Sequence, residues 1–511
     1  MRWKIQSKLY TNNSMPIDLP KNNLIAGVFG ASGQVILNTL CFFFVYKIGI
    51  NELGVEIMGT WGLAVALISL IKLFDFGLSG ALIKTTASLF SRGEKSYAFA
   101  VIRATLASVI VYSSLAGVFF YFIADYALAN MFDSKLVKLI EPFIGIMIVQ
   151  TILVCISVSF LACLDGINRI DLRAKISILA AIATMIFAYF VIPRLGLQGL
   201  IYAQLLQMII LILGSMVVLG KVVGFNIIGK LKFTENLNLY SYGMKFQIGN
   251  ICILLSEAFI KLMIAKFGSV SEIPYYDMAR KITDQLRWMF AAAGTPIIPM
   301  VASINSAKES TTGIIYTRAT ELLMYFAFPV YTALILFSPG LELILFGTLN
   351  GTLVSFVIIL SISSIISVAT IPPFVIALGE GNLKWNTISY FVYLLSILCL
   401  VWPLSLYYGS LGSVIGISLA IFFSSLCILI PFASAKNVNL IAILTNKNHK
   451  LILSCSLIIF LSCMSITTGF FKLILLSNAS YFLAVSVLFL PIYFMWKSTL
   501  RLDLLSFLID R

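Results

Sequence analysis

Charged side chains inside segments otherwise written in Ile, Leu and Phe are the groups in this sequence that could do chemistry. The stretch "ISLIKLFDFGLSGALIK" (68–84) carries Lys72 and Asp75 in mid-run. Further on, "LLSEAFIKLMIAKF" (254–267) carries Glu257 and Lys261, with Lys245 upstream of both. The stretch "YYDMARKITDQLRWMF" (275–290) holds Asp277, Arg280, Lys281, Asp284 and Arg287. A lone charge at a bilayer centre costs about 2.5–3.5 kcal/mol on insertion scales, so such groups face protein or water rather than lipid. They fit two roles: ionic clips between helices, with long stems snorkelling to an interface, or the lining of a polar pathway.

Helical spacing sharpens these roles. Ser69, Lys72, Asp75 and Ser79 cover an arc of about 120°, and the i, i+3 relation lets Lys72 and Asp75 partly neutralise each other. Glu257 and Lys261 stand i, i+4 in the favourable acid-first order. Asp277, Arg280, Asp284 and Arg287 fall within roughly 80° and form a charged stripe about 15 Å long. Enzymatic chemistry finds little support. The one histidine, His449, sits in the basic loop "TNKNHK", and the eight cysteines form no CxxC pair. They read as small apolar residues rather than a disulfide framework or metal site. No motif points to a metal or organic cofactor.

The elements that must position these groups follow from composition. The chain has 511 residues, 60% hydrophobic and 11% charged, with mean hydropathy +1.02. That excludes an ordinary soluble domain, and the alternating pattern of an outer-membrane barrel is missing. An all-α polytopic membrane protein is expected, with about fourteen spans: 23–46, 56–83, 97–123, 138–164, 174–192, 197–219, 239–265, 279–304, 318–337, 351–378, 385–407, 411–434, 450–470 and 474–496. Residues 1–22 are polar and basic without a cleavable signal pattern, so the first span is expected to act as an uncleaved anchor. Proline pairs Pro296 and Pro299, and Pro372 and Pro373, with Pro329, are expected to kink helices eight, ten and nine.

The chain also repeats itself. At an offset of 213, Gly30 falls on Gly243, Gln34 on Gln247, Gly166 on Gly379, and Gly196 and Gly199 on Gly409 and Gly412. "RAT" at 103–105 matches "RAT" at 318–320 with two residues inserted. A repeat of six helices enters the membrane each time in the same orientation, as in transporters with parallel repeats. The expected organisation is a cytoplasmic segment 1–22, a six-helix bundle 23–220, a linker 221–238, a second bundle 239–434, an extra helix pair 450–496 and a cytoplasmic tail 497–511. No loop is long enough to fold as a catalytic domain. With both termini inside, roughly 22 Lys and Arg face the cytoplasm against about 6 to 8 outside. The net charge of +14 is then orientation signal and contact with anionic membrane lipids, not a nucleic-acid surface.

The phrase "MGTWGLAVALISLIKLFDFGLSGALIKTTA" and the turns "GLQG" and "GSLGSVIG", with the duplicated six-helix half, resemble the Wzx-type O-antigen and polysaccharide flippases of the multidrug/oligosaccharidyl-lipid/polysaccharide (MOP) exporter superfamily. The resemblance implies a flippase, not an enzyme. It would carry an undecaprenyl-diphosphate-linked oligosaccharide across a bacterial inner membrane by alternating access of a charged cleft. By helix position, it assigns that cleft Lys72, Asp75, Lys245, Glu257, Lys261, Asp284 and Arg287. The cations, Arg280 included, would hold a diphosphate by charge-assisted hydrogen bonds. Asp75, Glu257 and Asp284 would soften that grip or bind a coupling proton or sodium ion. A polysaccharide polymerase and chain-length proteins are the partners the resemblance suggests. The alternatives are a cation-coupled multidrug exporter of the same architecture, a membrane polysaccharide polymerase or ligase, and a lipid scramblase.

Overall fold

The structure, a computed structural model, describes residues 21–131, 140–232, 236–294, 309–380, 384–436, 438, 449–467 and 493. Among the described residues there is no strand, as hydrocarbon requires of a chain that must satisfy its backbone polar groups within each segment. The helices are α1 (Lys21–Ile68), α2 (Leu78–Ser91), α3 (Lys95–Met131), α4 (Ile144–Gly166), α5 (Ile170–Leu195), α6 (Leu197–Val223), α7 (Asn236–Phe267), α8 (Ile273–Gly294), α9 (Glu309–Phe346), α10 (Thr352–Val368), α11 (Ile371–Glu380), α12 (Lys384–Ala435) and α13 (His449–Thr467).

Two of these helices are too long for one crossing. The 52 residues of α12 would reach about 78 Å, well beyond ~30 Å of hydrocarbon. Each long run contains a non-helical glycine: Gly54 in α1 (φ 82°, ψ 164°) and Gly409 in α12 (φ 60°, ψ −137°). Among the described residues eight helices are long and apolar enough to cross a membrane, or nine if the bent pair α10–α11 is one span. That is fewer than the fourteen expected from hydropathy. The glycine breaks fuse neighbouring spans, α8 carries too many charges to pass as apolar, and 474–496 lies outside the described residues apart from 493.

The second expected span is not one helix. After Ile68 the chain tightens into a 3₁₀ turn, Ser69–Asp75. It then passes through two left-handed residues, Phe76 (φ 50°) and Gly77 (φ 74°), before α2 begins. The single polar face drawn across Ser69, Lys72, Asp75 and Ser79 therefore does not exist as drawn. Helix eight starts at Ile273 rather than 279, so Asp277 and Arg280 lie within α8 and not at its entry. At Pro372 and Pro373 the expected break is present: α10 and α11 meet at 42°. Pro329 sits inside α9, which continues past it. Pro296 and Pro299 lie outside the described residues.

Packing recurs along the chain. α4 lies against α2, α3 and α6, and α10 lies against α8, α9 and α12; α1 packs on α5 as α7 packs on α12. The glycines paired by the 213-residue offset share one backbone geometry. Gly196 has φ 59° and ψ −133°, values that Gly409 nearly repeats. A Cβ on Gly199 would strike the Val191 carbonyl, and one on Gly412 would strike the carbonyl of Leu404, the equivalent residue. Lipid supplies no hydrophobic drive between helices, so close approach through small residues must hold such contacts. Alanine at Gly196 or Gly409 is expected to cost on the order of 1–2 kcal/mol at either site, because an L side chain is strained there. Melting of the solubilised protein checks this, and an unchanged midpoint for both variants would contradict it.

The two sets of helices meet along α1, α8 and the 3₁₀ turn Val270–Glu272, and again where α2 meets α7. A Cβ on Gly59 would overlap the Val270 carbonyl. One apolar cluster runs across this junction, from Tyr46, Met58, Trp61 and Ile71 to Tyr276, Met278 and Tyr331.

Candidate functional site

Ionisable residues converge at the junction in two places. The first centres on Lys261. Between α7 and α8 a capping box closes the turn: the Ser269 hydroxyl accepts from the Ser271 amide at 3.2 Å, and Glu272 accepts from the Ser269 amide at 2.9 Å. That tight return sets the first turns of α8 beside the last turns of α7. Lys261, 7% exposed, places its Nζ 2.7 Å from Asp277 Oδ1 and 3.8 Å from Glu257 Oε1. It also donates to the Gly62 carbonyl of α1 at 3.3 Å. Tyr46, also on α1, donates to Asp277 Oδ2 at 3.4 Å, and Tyr276 donates to Glu257 at 3.2 Å. An ammonium has three donors; two here meet Asp277 and the Gly62 carbonyl, and Glu257 at 3.8 Å is an ion-pair neighbour rather than a hydrogen-bond acceptor. Lys261 is thus a clip between α7, α8 and α1 in this arrangement, flanked by two carboxylates.

Along α8 the expected stripe divides among different partners. Arg280 Nε pairs with Asp284 at 2.9 Å, Lys281 Nζ stands 5.0 Å from the Phe42 ring centroid on α1, and Arg287 Nε donates to the Ser367 hydroxyl of α10 at 2.6 Å. Ser367 occupies the last turn of α10, just before the bend into α11. Arg287 therefore ties α8 to that bend.

The second place is a cavity of about 250 Å³ lined by Lys72, Asp75 and Ser79 from the interrupted helix, Cys155 from α4, and Gln247 and Asn250 from α7. Lys72 and Asp75 do not form the expected ion pair. The break turns Asp75 forward onto α2, where its carboxylate accepts from the Ser79 amide at 3.4 Å and hydroxyl at 3.3 Å. A carboxylate at a helix N-terminus is favoured by the free amides and the dipole there. Among the described residues no carboxylate comes within ion-pair distance of Lys72. Gln247 spans the cavity and donates to the Lys72 and Leu73 carbonyls at 3.4 and 3.3 Å. These are carbonyls beside the break. Asn250 in turn donates to Gln247 at 3.4 Å.

Of the eight residues proposed from sequence, then, Lys72 and Asp75 share a cavity, while Glu257 and Lys261, and Arg280 and Asp284, are paired on α7 and α8. Arg287 is bound to α10, and the side chain of Lys245 lies outside the described residues. The set omitted Asp277, the nearest partner of Lys261. It also omitted Tyr46, Gln247 and Asn250, although the repeat had already singled out Gln247. A larger cleft of about 490 Å³, lined by Ser269, Glu272, Asn350, Thr352 and Tyr408, contains none of the eight. Among the described residues no group of three or more His, Cys, Asp or Glu could hold a metal. Chemically, the cavity offers a cation and a carboxylate outside ion-pair distance of each other, beside two amides and a hydroxyl; the cation and the amides could hold an anion, with Asp75 weakening that grip.

Residues 53–349 match a family model described as "Polysaccharide biosynthesis protein". No curated protein sequence matches the chain. Among solved structures, an inward-facing multidrug resistance MATE family transporter of the MOP superfamily superposes with a TM-score of 0.70 at 14% identity, covering 79% of this chain and 98% of the other. The lipid II flippase MurJ in an inward closed conformation gives 0.70 at 15% identity, over 94% of this chain and 100% of the other. The Vibrio cholerae MATE transporter VcmN in its bent form gives 0.58 at 15% identity, over 81% and 98%. At these identities the likeness establishes the fold alone, one shared with these MATE transporters and with MurJ.

Proposed function

The chain belongs to the polysaccharide biosynthesis protein family, and from that premise we propose that it carries an undecaprenyl-diphosphate-linked oligosaccharide across a bacterial inner membrane, as a transporter and not an enzyme. The observation that carries this reading is Lys72, a cation with no carboxylate partner among the described residues, in a cavity walled by helices on both sides of the junction. A polar headgroup cannot cross hydrocarbon unaided, whereas its polyprenyl tail can stay in lipid. Two six-helix halves, 23–220 and 239–434, would rock about the junction and expose this cavity to each side in turn. The recurring packing and the matched glycines Gly196 and Gly409 support that division. With both termini cytoplasmic, an inside-negative potential favours export of a diphosphate by about 2.3 kcal/mol per charge per 100 mV. Coupling to protons or sodium is not required on energetic grounds.

The superpositions weigh equally for a multidrug exporter, since the MATE transporter and MurJ share a TM-score of 0.70. Charge does not separate the two readings, because the cavity holds both Lys72 and Asp75, neither within ion-pair distance of an opposite charge among the described residues; the family match is what favours the polysaccharide substrate.

Lys72→Ala and Arg287→Ala, in a strain that depends on this chain for surface polysaccharide, test the proposal. Lys72→Ala is expected to lower surface polysaccharide about tenfold or more, the effect of losing one charged hydrogen bond of roughly 1.5–3 kcal/mol to the headgroup, and Arg287→Ala, which also frees Ser367 at the α10 bend, is expected to lower it as well. Lys72→Arg, which keeps the charge, should be milder. Full polysaccharide at normal protein levels in both alanine variants would overturn the assignment, and sodium- or proton-driven dye efflux would favour the exporter.

A further inference from the structure

We infer that residues 224–232, which follow α6, are an anionic-lipid docking site, a strap held against α3 so that it lies in the membrane surface. This inference needs the chain to be a membrane protein and is independent of what it transports.

The strap is built, not merely left over. Arg103 on α3 donates through Nε to the Lys230 carbonyl at 3.0 Å and through a terminal nitrogen to the Asn226 carbonyl at 2.8 Å. The guanidinium comes so near Gly229 that a Cβ there would meet its carbon at 2.7 Å. Phe225 is buried and stacks edge-on against Phe99 of α3 at 5.5 Å. Lys232 closes the clamp: its amide donates to the Ala100 carbonyl at 3.4 Å, and its Nζ lies 4.3 Å from the Tyr97 ring centroid. A loop of nine residues (224–232) is thus fastened to one helix at both ends and in the middle.

Fastened this way, it turns apolar side chains outward. Ile228 is 81% exposed, with Ile227 at 46% and Leu231 at 49%. Exposed Lys221, Lys230 and Lys232 stand among them. An interhelical loop meant for water has no use for two isoleucines and a leucine on its outer side. Bare apolar residues among lysines are the composition of segments that lie in the headgroup region, with aliphatic groups at the acyl boundary and ammonium groups on lipid phosphates. The position fits as well. α3, at 37 residues, would reach about 55 Å against ~30 Å of hydrocarbon, so one or both of its ends stand beyond the core. Arg103 lies within the first third of that helix, near the end on which the strap is laid. Charge complementarity selects the occupant: each lysine near an anionic surface adds roughly a fivefold preference.

Hydrogen–deuterium exchange of the full chain tests this, in nanodiscs of phosphatidylcholine alone and of phosphatidylcholine mixed equally with phosphatidylglycerol. Amides in 224–232 are expected to exchange several-fold more slowly with phosphatidylglycerol present, while α10 amides stay unchanged. Lys221→Gln/Lys230→Gln, which leaves Lys232 on Tyr97, should remove most of that difference and reduce the phosphatidylglycerol retained on purification. Ile228→Ser should weaken the protection without changing its dependence on lipid charge. Soluble glycerol phosphate, which offers the headgroup without a surface, should not slow exchange. Equal exchange in both bilayers, or protection reproduced by glycerol phosphate, would overturn the inference. So would protection that the double lysine variant retains in full.

Discussion

Replacing Asp277 by alanine is expected to destabilise the protein by about 3–5 kcal/mol, the cost of stranding a buried charge. Lys261 would keep only Glu257 at 3.8 Å and the Gly62 carbonyl at 3.3 Å, in a place where it is 7% exposed. Tyr46 would lose its acceptor as well. The size of the effect comes from desolvation rather than from the strength of the pair, and the double substitution separates the two. Lys261→Met with Asp277→Leu removes both charges and keeps apolar volume, and stability should return to near or above the parent value. Melting of the solubilised protein reads both. Were Asp277→Ala to melt with the parent, the clip would contribute little and Lys261 would have to be reassigned to the pathway.

Gly59→Val carries the second large expectation. The added Cβ would overlap the Val270 main-chain carbonyl, with the Val270 carbon at 2.8 Å and a Pro274 ring carbon at 3.2 Å. A main-chain carbonyl in a capped turn cannot swing aside as a side chain can, so α1 must part from the turn. The strain belongs at or above the upper end of the roughly 1–3 kcal/mol typical of overpacked sites. At about 3 kcal/mol it shifts an equilibrium between closed and parted arrangements more than a hundredfold. Spin labels at Glu52 and Ser269 should then report a longer separation, or the protein should melt earlier if no parted arrangement is stable. A normal separation with a normal melting point would mean that the two segments are not in contact in the membrane.

Much of this arrangement was legible from the residues, and what was not has identifiable physical causes. Composition fixed an all-helical membrane chain. The Glu257–Lys261 spacing gave a true, though long, ion pair, and the matched glycines Gly196 and Gly409 have one backbone geometry. Pro372 and Pro373 marked the bend after α10. The interruption at Ser69–Gly77 was hidden because "ISLIKLFDFGL" is continuously apolar around its two charges, and a period of 3.6 carries straight through it. The Lys72–Asp75 pair then failed although both residues lie within the 3₁₀ turn, because Asp75 ends that turn and its carboxylate is taken by the Ser79 amide and hydroxyl of α2. Asp277 was seen on its stripe but not matched to Lys261, because that contact depends on how sharply the chain returns between α7 and α8. Sequence spacing within one helix says nothing of such a return.

The 3₁₀ turn has a consequence for how any gap between α2 and α7 could form. Beside the break, the Leu73 oxygen accepts from the Phe76 amide at 3.4 Å, and the side-chain amide of Gln247 reaches across from α7 to the Lys72 and Leu73 oxygens at 3.4 and 3.3 Å. Withdraw α7 and that bridge goes with it. The freed Gln247 amide, with Lys72 and Asp75 beside it, would cost several kcal/mol in a hydrocarbon setting, a sum the protein escapes if solvent follows the retreating helix into the space. The fissure therefore opens wet or stays shut, and a hydrated path beside Lys72 is a condition of movement rather than its by-product.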